Sequence, residues 1–546
     1  MRFGYAFRFF SLPAALLFSA GACGAPGPAV GGPCWDVVVY GGTSAGVTAA
    51  VEAARLKKAV LLVAPSGRLG GLTSSGLGAT DVGKAAAVGG LAREFYRRIR
   101  RWYDRPEAWT REKREDFHDW RMPAGGDAAW TFEPHVAERV FGDLVREAGV
   151  RVLAGERLDL GKGVLKEGKW IRALRMESGK VVRGRVFIDA TYEGDLMALA
   201  GVSYVVGREA NSLYGETLDG VQPGLARYHQ FVVKVDPYVK KGDPESGLLP
   251  GIHPGGPGRA GAGDGRIQAY CFRLCATDDP ANRVPWRKPE GYDPKEYELL
   301  LRNFEAGDGR IPWSLIRVPN RKADCNNRFA VSTDFIGRNY AYPEGDYQTR
   351  ARIVRAHRVY QEGLLWTLAH SPRVPANVRA YFRKWGLAKD EFEDNGNWPY
   401  LLYVREARRM RGAYVMTEKN CRGLVKAEDS VGLGSYNMDS HHVQRYVTSE
   451  GAVRNEGDVE VPVPGPYPIS YRSLVPKRGE CANLLVPVCL SATHIAYGSI
   501  RMEPVFMVLG QSAGDAAVLA LEKGVSVQDI QYPELRKLLL RRGQVL

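Results

Sequence analysis

The sequence predicts an α/β protein whose parallel sheet is assembled from both ends of its 546 residues. Near the N-terminus, a β-branched run at 35–40 passes through glycines into a helical pattern that ends at Arg55, and a second apolar run follows at 60–63. Near the C-terminus, an apolar run at 484–488 again precedes a helical pattern, at 504–523. Strand–helix–strand units of about thirty residues are typical of buried parallel sheets.

The segments between these ends predict an insertion in the sheet. A helix is expected over 134–148, because Pro134 suits the first helical position and Gly149 suits a C-terminal stop. Three short strands are predicted at 150–153, 170–176 and 181–188, where turn residues separate the apolar runs. Three successive strands of this kind indicate an antiparallel meander.

The middle of the chain has a different character, which indicates a second domain. Glycine and proline crowd the loop at 247–265, and helical patterns return at 347–369 and 375–385. A chain of this length exceeds the usual size of a single core. We therefore predict a discontinuous nucleotide-binding domain around an α+β substrate domain, with these bounds: 35–205 for the first part, 206–460 for the substrate domain and 461–546 for the C-terminal part.

The N-terminus has the pattern of a secretory signal peptide over residues 1–22. Arg2 and Arg8 precede an apolar run at 9–20, and small residues precede Cys23. The pattern predicts a secreted or periplasmic bacterial protein, with a buried N-terminal strand or helix as the alternative. Cys23 would also suit a lipid anchor, although Ala20 stands where lipoprotein signals usually have leucine.

Composition narrows the class of partner. The net charge is +14, but the lysines and arginines are scattered without a nucleic-acid-binding motif, so no nucleic-acid partner is predicted. No interior run reaches the roughly 18 apolar residues of a membrane span, so no transmembrane segment is predicted. The eight cysteines form no C-x-x-C pair; export would permit disulfides, and burial as small apolar residues is equally open.

The first turn has the pattern of a dinucleotide-binding loop. Glycines at its two ends allow a sharp turn and close helix packing, and the new helix N-terminus suits a pyrophosphate. Thr43 replaces the middle glycine of G-x-G-x-x-G, and Ala64 replaces the acid that normally binds the ribose. On this motif alone, a glycine turn of any α/β protein is an equal alternative. The candidate residues are Gly41, Gly42, Thr43, Ser44, Ala45 and Gly46.

Three further stretches strengthen the prediction of a cofactor site. A glycine-rich loop follows the second strand, small residues follow the strand at 181–188, and Arg501 and Met502 precede the C-terminal helix. Asp195 is expected to accept a hydrogen bond from a ribityl hydroxyl. Small residues on one face of the last helix predict tight packing. The further candidate residues are Ala64, Pro65, Ser66, Leu69, Gly70, Gly71, Leu72, Thr73, Ala190, Thr191, Gly194, Asp195, Arg501 and Met502.

These stretches resemble the bacterial FAD-dependent oxidoreductase family, some of whose members are labelled putative xanthan lyases. The resemblance covers nearly the whole chain after the signal; its motifs are 40–46, 69–71, 133–135, 189–191, 405–409, 439–441 and 501–504. It implies a glutathione-reductase-type fold, FAD as the cofactor and a separate substrate domain. Ala64 departs from the family's commoner acid, and Ser66 is the substitute we expect at the ribose.

Three residues are candidates for the chemistry. By the resemblance, Arg405 would orient an oxyanion or carboxylate. His441 is a candidate base that Asp439 would orient if both share a strand face, with a structural histidine as the alternative. His494 is the other candidate base. Arg408 and Arg409 are expected on a salt-bridged helix surface.

No metal site is predicted, because His441 and His442 have no third ligand nearby. The leading hypothesis is an oxidoreductase that transfers a hydride between flavin and a small organic substrate, such as a carbohydrate or hydroxy compound, with an unknown electron acceptor. A flavin-containing lyase or isomerase and a non-catalytic NADP-binding protein, helped by Arg68, are the alternatives.

Overall fold

The central sheet joins the two ends of the chain. The computed structural model describes residues 33–226 and 228–546, so the predicted signal peptide and Cys23 lie outside the described residues. Its seven strands are β1 Cys34–Tyr40, β2 Val60–Ala64, β3 Arg151–Ala154, β4 Val164–Glu167, β5 Trp170–Arg175, β6 Val181–Asp189 and β20 Leu484–Leu485. Their spatial order is β3-β2-β1-β6-β5-β4, and β20 pairs with the C-terminal half of β6.

The antiparallel meander differs from the prediction in its first strand. β3 pairs in parallel with β2, from Leu61 opposite Arg151 to Ala64 opposite Ala154, and so extends the main sheet. The meander consists of β4, β5 and β6. The predicted strand at 150–153 therefore exists, but its assignment to the meander is wrong. The pairing of β3 depends on β2, which lies about ninety residues earlier in the chain. The residues around 150–153 therefore contain no local pattern that would predict this partner.

The middle of the chain forms a second, antiparallel sheet. Its strands are β8 Leu274–Thr277, β9 Arg283–Val284, β10 Trp313–Val318, β11 Lys322–Asn327 and β12 Gly386–Ala388, and their spatial order is β10-β11-β8-β12-β9. Two-stranded ribbons complete the strands: β7 Tyr204–Val205 with β13 Arg409–Met410, β14 Ser430–Gly434 with β19 Tyr467–Ser470, β15 Met438–Ser440 with β18 Val459–Val461, and β16 Gln444–Val447 with β17 Val453–Glu456. The predicted domain bounds stay a prediction.

Twelve helices occur in the described residues, and five of them, at 44–55, 134–148, 347–370, 376–384 and 503–523, confirm the predicted patterns. They are α1 Ser44–Arg55, α2 Gly90–Tyr103, α3 Pro134–Ala148, α4 Asp195–Leu199, α5 Asn211–Tyr214, α6 Glu298–Glu305, α7 Tyr347–His370, α8 Ala376–Lys384, α9 Glu418–Cys421, α10 His494–Ile500, α11 Glu503–Lys523 and α12 Tyr532–Arg541. Gly149, in the left-handed conformation at φ +70°, ends α3 as expected.

Helices α1 and α11 pack closely because the predicted small residues leave room between them. A Cβ on Gly510 would lie 2.2 Å from the Ala45 carbonyl oxygen, and one on Gly514 would lie 2.7 Å from that of Ala49. Thr48 Oγ1 donates a hydrogen bond to the Met507 carbonyl at 2.8 Å. The contact brings the N-terminus of α11 beside the N-terminus of α1.

Helix α11 is also the one described helix that is long and apolar enough to cross a membrane, with a mean hydropathy of 1.4. Its apolar window is 94% buried inside the protein, as expected of a core helix.

The described part also contains six buried free cysteines, which are Cys271, Cys275, Cys325, Cys421, Cys481 and Cys489.

Candidate functional site

The first turn is built around Thr43, which stands where the motif usually has glycine. Its Oγ1 accepts a hydrogen bond from Gly46 N at 3.1 Å and donates one to the Ala190 carbonyl at 2.6 Å. Thr43 therefore caps α1 and joins the turn to the loop after β6. Gly41 has φ +119°, and a Cβ there would lie 2.6 Å from the carbonyl carbon of Ala190. The turn thus needs glycine at 41 for both its conformation and its space.

The second glycine-rich loop lies directly against the first turn. Gly70 N donates a hydrogen bond to the Gly42 carbonyl at 2.7 Å. A Cβ on Gly71 would lie 2.3 Å from the Tyr192 hydroxyl oxygen and 3.1 Å from Thr43 Cα. The predicted loop residues Leu69 to Thr73 are therefore brought together with the turn at 41–46.

Glu503 connects four segments that are distant in sequence. Its carboxylate accepts hydrogen bonds from Ser44 Oγ at 2.6 Å, Thr73 Oγ1 at 2.7 Å and the Tyr192 hydroxyl at 2.7 Å. Burial raises the pKa of Glu503, and the three hydroxyl donors oppose that rise. The first turn, the glycine-rich loop, the loop after β6 and the start of α11 therefore converge at one carboxylate.

The adenosine end of the predicted site offers few polar groups. Ala64 is buried at the end of β2, Pro65 is half-buried, and Ser66 is exposed with its Oγ accepting a hydrogen bond from Arg68 N at 3.3 Å. The Arg68 guanidinium contacts Glu138 at 3.2 Å and lies 4.1 Å from the centre of the Tyr400 ring. Arg68 is thus already paired, which weakens the NADP-binding alternative.

Asp195, which the sequence predicts to accept a hydrogen bond from a ribityl hydroxyl, is paired with two arginines. It accepts hydrogen bonds from Arg350 at 2.5 and 2.8 Å and from Arg408 at 2.7 Å. Burial opposes its ionisation, but the two guanidinium groups outweigh burial and lower the pKa of Asp195. In the same loop, Asp189 accepts hydrogen bonds from Thr191 N and Oγ1, and Gly194 N donates to Thr191 Oγ1. The carboxylates therefore shape the loop and anchor α7 to it.

Arg405 and His441 meet at Asp334, which sequence reasoning missed. Arg405 Nη2 lies 2.9 Å from Asp334 Oδ1, and His441 Nδ1 lies 2.7 Å from Asp334 Oδ2. Burial opposes ionisation of Asp334, yet the charge of Arg405 and the hydrogen bond with His441 hold the pKa of Asp334 well below the usual range. Burial, and then the charge of Arg405, lower the pKa of His441. The result is a neutral imidazole beside a carboxylate.

Asp439 lies on the other side of the His441 ring. Its Oδ1 is 3.8 Å from His441 Nε2, and its Oδ2 is 3.4 Å from Arg501 Nη2. Arg501 Nη1 donates a hydrogen bond to the Tyr403 hydroxyl at 2.9 Å. The prediction that Asp439 orients His441 needs correction, because the short contact at Nδ1 belongs to Asp334. We refer to Asp334, His441, Asp439, Arg405 and Arg501 as the His441 cluster.

His494 belongs to a buried network beside His441. Its Nδ1 contacts Glu406 Oε2 at 2.7 Å and its Nε2 contacts Ser440 Oγ at 2.9 Å, so both ring nitrogens are occupied. Ser440 directly precedes His441 in the chain, so the structure places His494 close to His441. Arg408 and Arg409 are buried and lie outside the helices, so their assignment to a helix surface is wrong. Carboxylates from distant segments pair with both.

The cluster and the glycine-rich loops are adjacent through Arg501, Met502 and Glu503. Arg501 contacts Asp439, Met502 is the buried N-cap of α11, and Glu503 connects the loops. In the described part of the chain, the buried Nε atoms of Arg405 and Arg501 have no hydrogen-bond acceptor. Buried donors of this kind normally have an acceptor. Oxygen atoms on the ring of a bound dinucleotide, or an oxygen of the substrate, would supply acceptors for these two guanidinium groups. Two surface cavities of about 690 and 710 Å³ lie elsewhere and contain none of these residues.

Comparison with known proteins identifies the family. A family model described as FAD dependent oxidoreductase matches residues 36–539. The chain belongs to this family. FAD is therefore its cofactor, and the Rossmann-like fold of the FAD-binding domain agrees with the sheet order. The xanthan lyase label has no support from the comparisons, and no curated protein matches the chain.

Solved flavoproteins show weak likeness to this FAD-dependent oxidoreductase. A flavin monooxygenase from Stenotrophomonas maltophilia is 16% identical over 32% of this chain and 41% of its own, with a TM-score of 0.19. An anhydrotetracycline hydroxylase from Streptomyces rimosus is 14% identical over 40% of each chain, with a TM-score of 0.20. A geranylgeranyl bacteriochlorophyll reductase-like protein from Thermoplasma acidophilum is 12% identical over 94% of this chain and 84% of its own, with a TM-score of 0.34. The first two matches span less than half of those proteins, and such likeness says nothing about substrate.

Proposed function

We propose that this oxidoreductase oxidises a small hydroxylated organic molecule, with a carbohydrate or hydroxy acid as the class to test first. The supporting observation is the His441 cluster beside the converging cofactor loops. Oxidation of an alcohol removes a hydride from carbon and a proton from oxygen. FAD, when bound, supplies the hydride acceptor. The chain itself must hold the hydroxyl and take its proton.

His441 is the proposed proton acceptor, at Nε2. The Asp334 carboxylate at Nδ1 favours the tautomer that carries its proton on Nδ1, which leaves the Nε2 lone pair free. Its lowered pKa keeps the imidazole neutral near pH 7 and so able to accept a proton. Asp439, 3.8 Å from Nε2, would then stabilise the imidazolium.

Arg405 and Arg501 are the proposed cations that hold developing negative charge on the substrate oxygen. Both guanidinium groups are buried, with 1% and 4% of the residue exposed, and each has an unsatisfied Nε. In a site that excludes water, a fixed cation stabilises charge more strongly than in solution. A substrate oxygen between them would complete the hydrogen bonding of both.

The direct test is anaerobic titration of the FAD-bound protein with sugars and hydroxy acids, followed by the flavin absorbance. A true substrate bleaches the flavin band. His441→Gln should slow bleaching about 10²–10⁴-fold with FAD still bound, as expected for loss of a general base. His370→Gln, at an exposed end of α7, is the matched control and should leave the rate unchanged. If the His441 variant is reduced at the wild-type rate, His441 is not the base.

The same experiment separates redox chemistry from a lyase or isomerase reaction. An oxidoreductase stops with reduced flavin when no electron acceptor is supplied. A lyase continues to turn over while its flavin stays oxidised. Continued turnover without an acceptor would therefore overturn the proposed function.

Export is a separate proposal that rests on the signal-peptide pattern at 1–22. N-terminal sequencing of protein recovered from a secreting host should give a chain that begins near Cys23. Incorporation of labelled lipid that is lost in Cys23→Ser would identify a lipid anchor. A chain that keeps Arg2 and Arg8 would contradict export.

A further inference from the structure

A cluster of three potential ligands borders the His441 cluster and has no role in the proposed function. His229, Asp458 and Glu460 each offer one ligand atom, and these atoms all lie within 4.8 Å of one another. His229 Nε2 lies 3.3 Å from Glu460 Oε1. A cation bound at about 2.0–2.2 Å from each ligand needs only small side-chain adjustments from this arrangement.

Asp458 is the observation that points to a ligand. The residue is only 3% exposed, yet no group in residues 33–226 or 228–546 donates a hydrogen bond to its carboxylate. Nδ1 of His229 is likewise buried without a partner among those residues. Buried carboxylates are normally paired, hydrogen-bonded or bound to a metal. Within the described part of the chain, the Asp458 carboxylate has neither an ion pair nor a hydrogen-bond donor.

The other candidate cluster of this kind shows the contrast. Glu133, His135 and Glu391 also lie close together, but Lys322 Nζ sits between the carboxylates, 2.8 Å from Glu133 and 2.7 Å from Glu391. The lysine supplies the positive charge that the buried acids need. The cluster at His229 has no lysine or arginine contact within the described residues.

The position of the cluster relates it to the chemistry. Glu460 on β18 lies directly opposite Asp439 on β15, so the two side chains share one face of the ribbon. Asp439 contacts both His441 and Arg501. Glu460 has 35% of its side chain exposed, which leaves a path for an ion from solvent.

We propose that His229, Asp458 and Glu460 bind a divalent first-row metal ion at the edge of the His441 cluster. One imidazole and two carboxylates suit Mn²⁺ or Zn²⁺. Three protein ligands leave positions for water or for a substrate oxygen. Metal binding is independent of the proposed hydride transfer, and it is measured without substrate.

The experiment titrates tag-free, FAD-bound, EDTA-treated protein with MnCl₂, followed by calorimetry and by the EPR signal of free Mn²⁺. Mn²⁺ is the first probe because it avoids the buried thiols, and ZnCl₂ is the second. We expect one ion per chain. Asp458→Asn and His229→Gln should each weaken binding at least about tenfold, since even loss of a group behind a ligand costs 10–100-fold.

His135→Gln is the matched control and should bind the ion like the wild type. FAD absorbance and thermal unfolding check that each variant is folded, and Glu460→Gln, at the partly exposed ligand, replaces Asp458→Asn if that variant does not fold. The proposal is overturned if the wild type binds neither ion. It is also overturned if the folded variants at 229, 458 and 460 bind with unchanged affinity, or if His135→Gln alone abolishes binding.

Discussion

Gly46→Ala is the smallest change that tests how the first turn is held. A Cβ at this position would lie 1.9 Å from the Gly41 carbonyl oxygen, whereas ordinary contacts begin at 3.4 Å. Helix α1 would have to move away from the end of β1 by the difference, 1.5 Å. The obstacle is therefore backbone, and the steric conflict exists before any dinucleotide binds.

The expected destabilisation follows from this contact. Overpacking costs about 1–3 kcal/mol, and a backbone neighbour that cannot rotate away favours the upper end. Alanine in a helix recovers about 0.5–1 kcal/mol relative to glycine. The net loss in free energy of unfolding is about 2 kcal/mol. Gly142→Ala on α3, where a Cβ meets nothing within 4 Å, should instead gain about 0.5–1 kcal/mol.

Denaturant unfolding of FAD-free protein, with flavin retention after gel filtration, separates two explanations. Movement of α1 also pulls Thr43 from the Ala190 carbonyl, now 2.6 Å away, so FAD retention should fall together with stability. If the variant loses FAD while the FAD-free protein keeps wild-type stability, the side chain obstructs the ligand alone. If the variant keeps both, Gly46 does not need to be glycine and the reasoning is wrong.

Three further predictions follow from buried charges. Glu503→Ala removes the acceptor of three hydroxyl groups, so at about 1 kcal/mol per bond it should lower the unfolding free energy by about 3 kcal/mol; Glu503→Gln should lose less, and equal losses would contradict the hydrogen-bond assignment. Because the pKa of His441 is lowered, the rate of flavin reduction should stay constant as pH falls to the ordinary histidine value of about 6.5 and should decline only at lower pH, where His441 in the folded protein takes up a proton. The free energy of unfolding should fall as pH drops from about 6.5 to the lower pKa of the folded state, because the unfolded state takes up the proton first. Stopped-flow rates that decline above pH 7 would contradict this prediction. Lys322→Met leaves its buried carboxylates unpaired and should cost about 3–5 kcal/mol in urea unfolding, whereas loss of an exposed pair, in Lys234→Met, should cost less than about 1 kcal/mol.

Local signals account for what the sequence could predict. The α3 helix begins and ends where predicted because Pro134 and Gly149 act within one turn of its ends. The glycines near 41 and 70 mark close backbone approach, and the structure shows that approach. The neighbours of a strand in a sheet could not be predicted in this way. The position of β3 depends on its pairing with β2, and the sequence of β3 does not indicate that partner.

Asp334, the carboxylate that contacts His441 Nδ1, could not be predicted because it is distant in sequence. Asp334 lies 107 residues away, in a segment without a motif, while Asp439 is two residues away and suggested itself. The prediction that Arg408 and Arg409 lie on a helix surface was wrong for the same reason, because their partners are also distant in sequence. Adjacent arginines are usually solvated, and only the fold reveals that Asp195 and Glu209 pair with them.

Burial of arginine changes the meaning of the net charge. Arg273, Arg405 and Arg409 are among the largest fully buried side chains, and each is paired with a carboxylate at 2.6–2.9 Å. A neutralised interior pair adds little to the field that a distant polyanion would experience. Its effect is local and strong, because the surroundings have a low dielectric constant. Arg405 therefore contributes little to the long-range field of a basic protein, and the proposed reaction depends on it as a fixed cation beside His441, where the substrate oxygen would lose its proton.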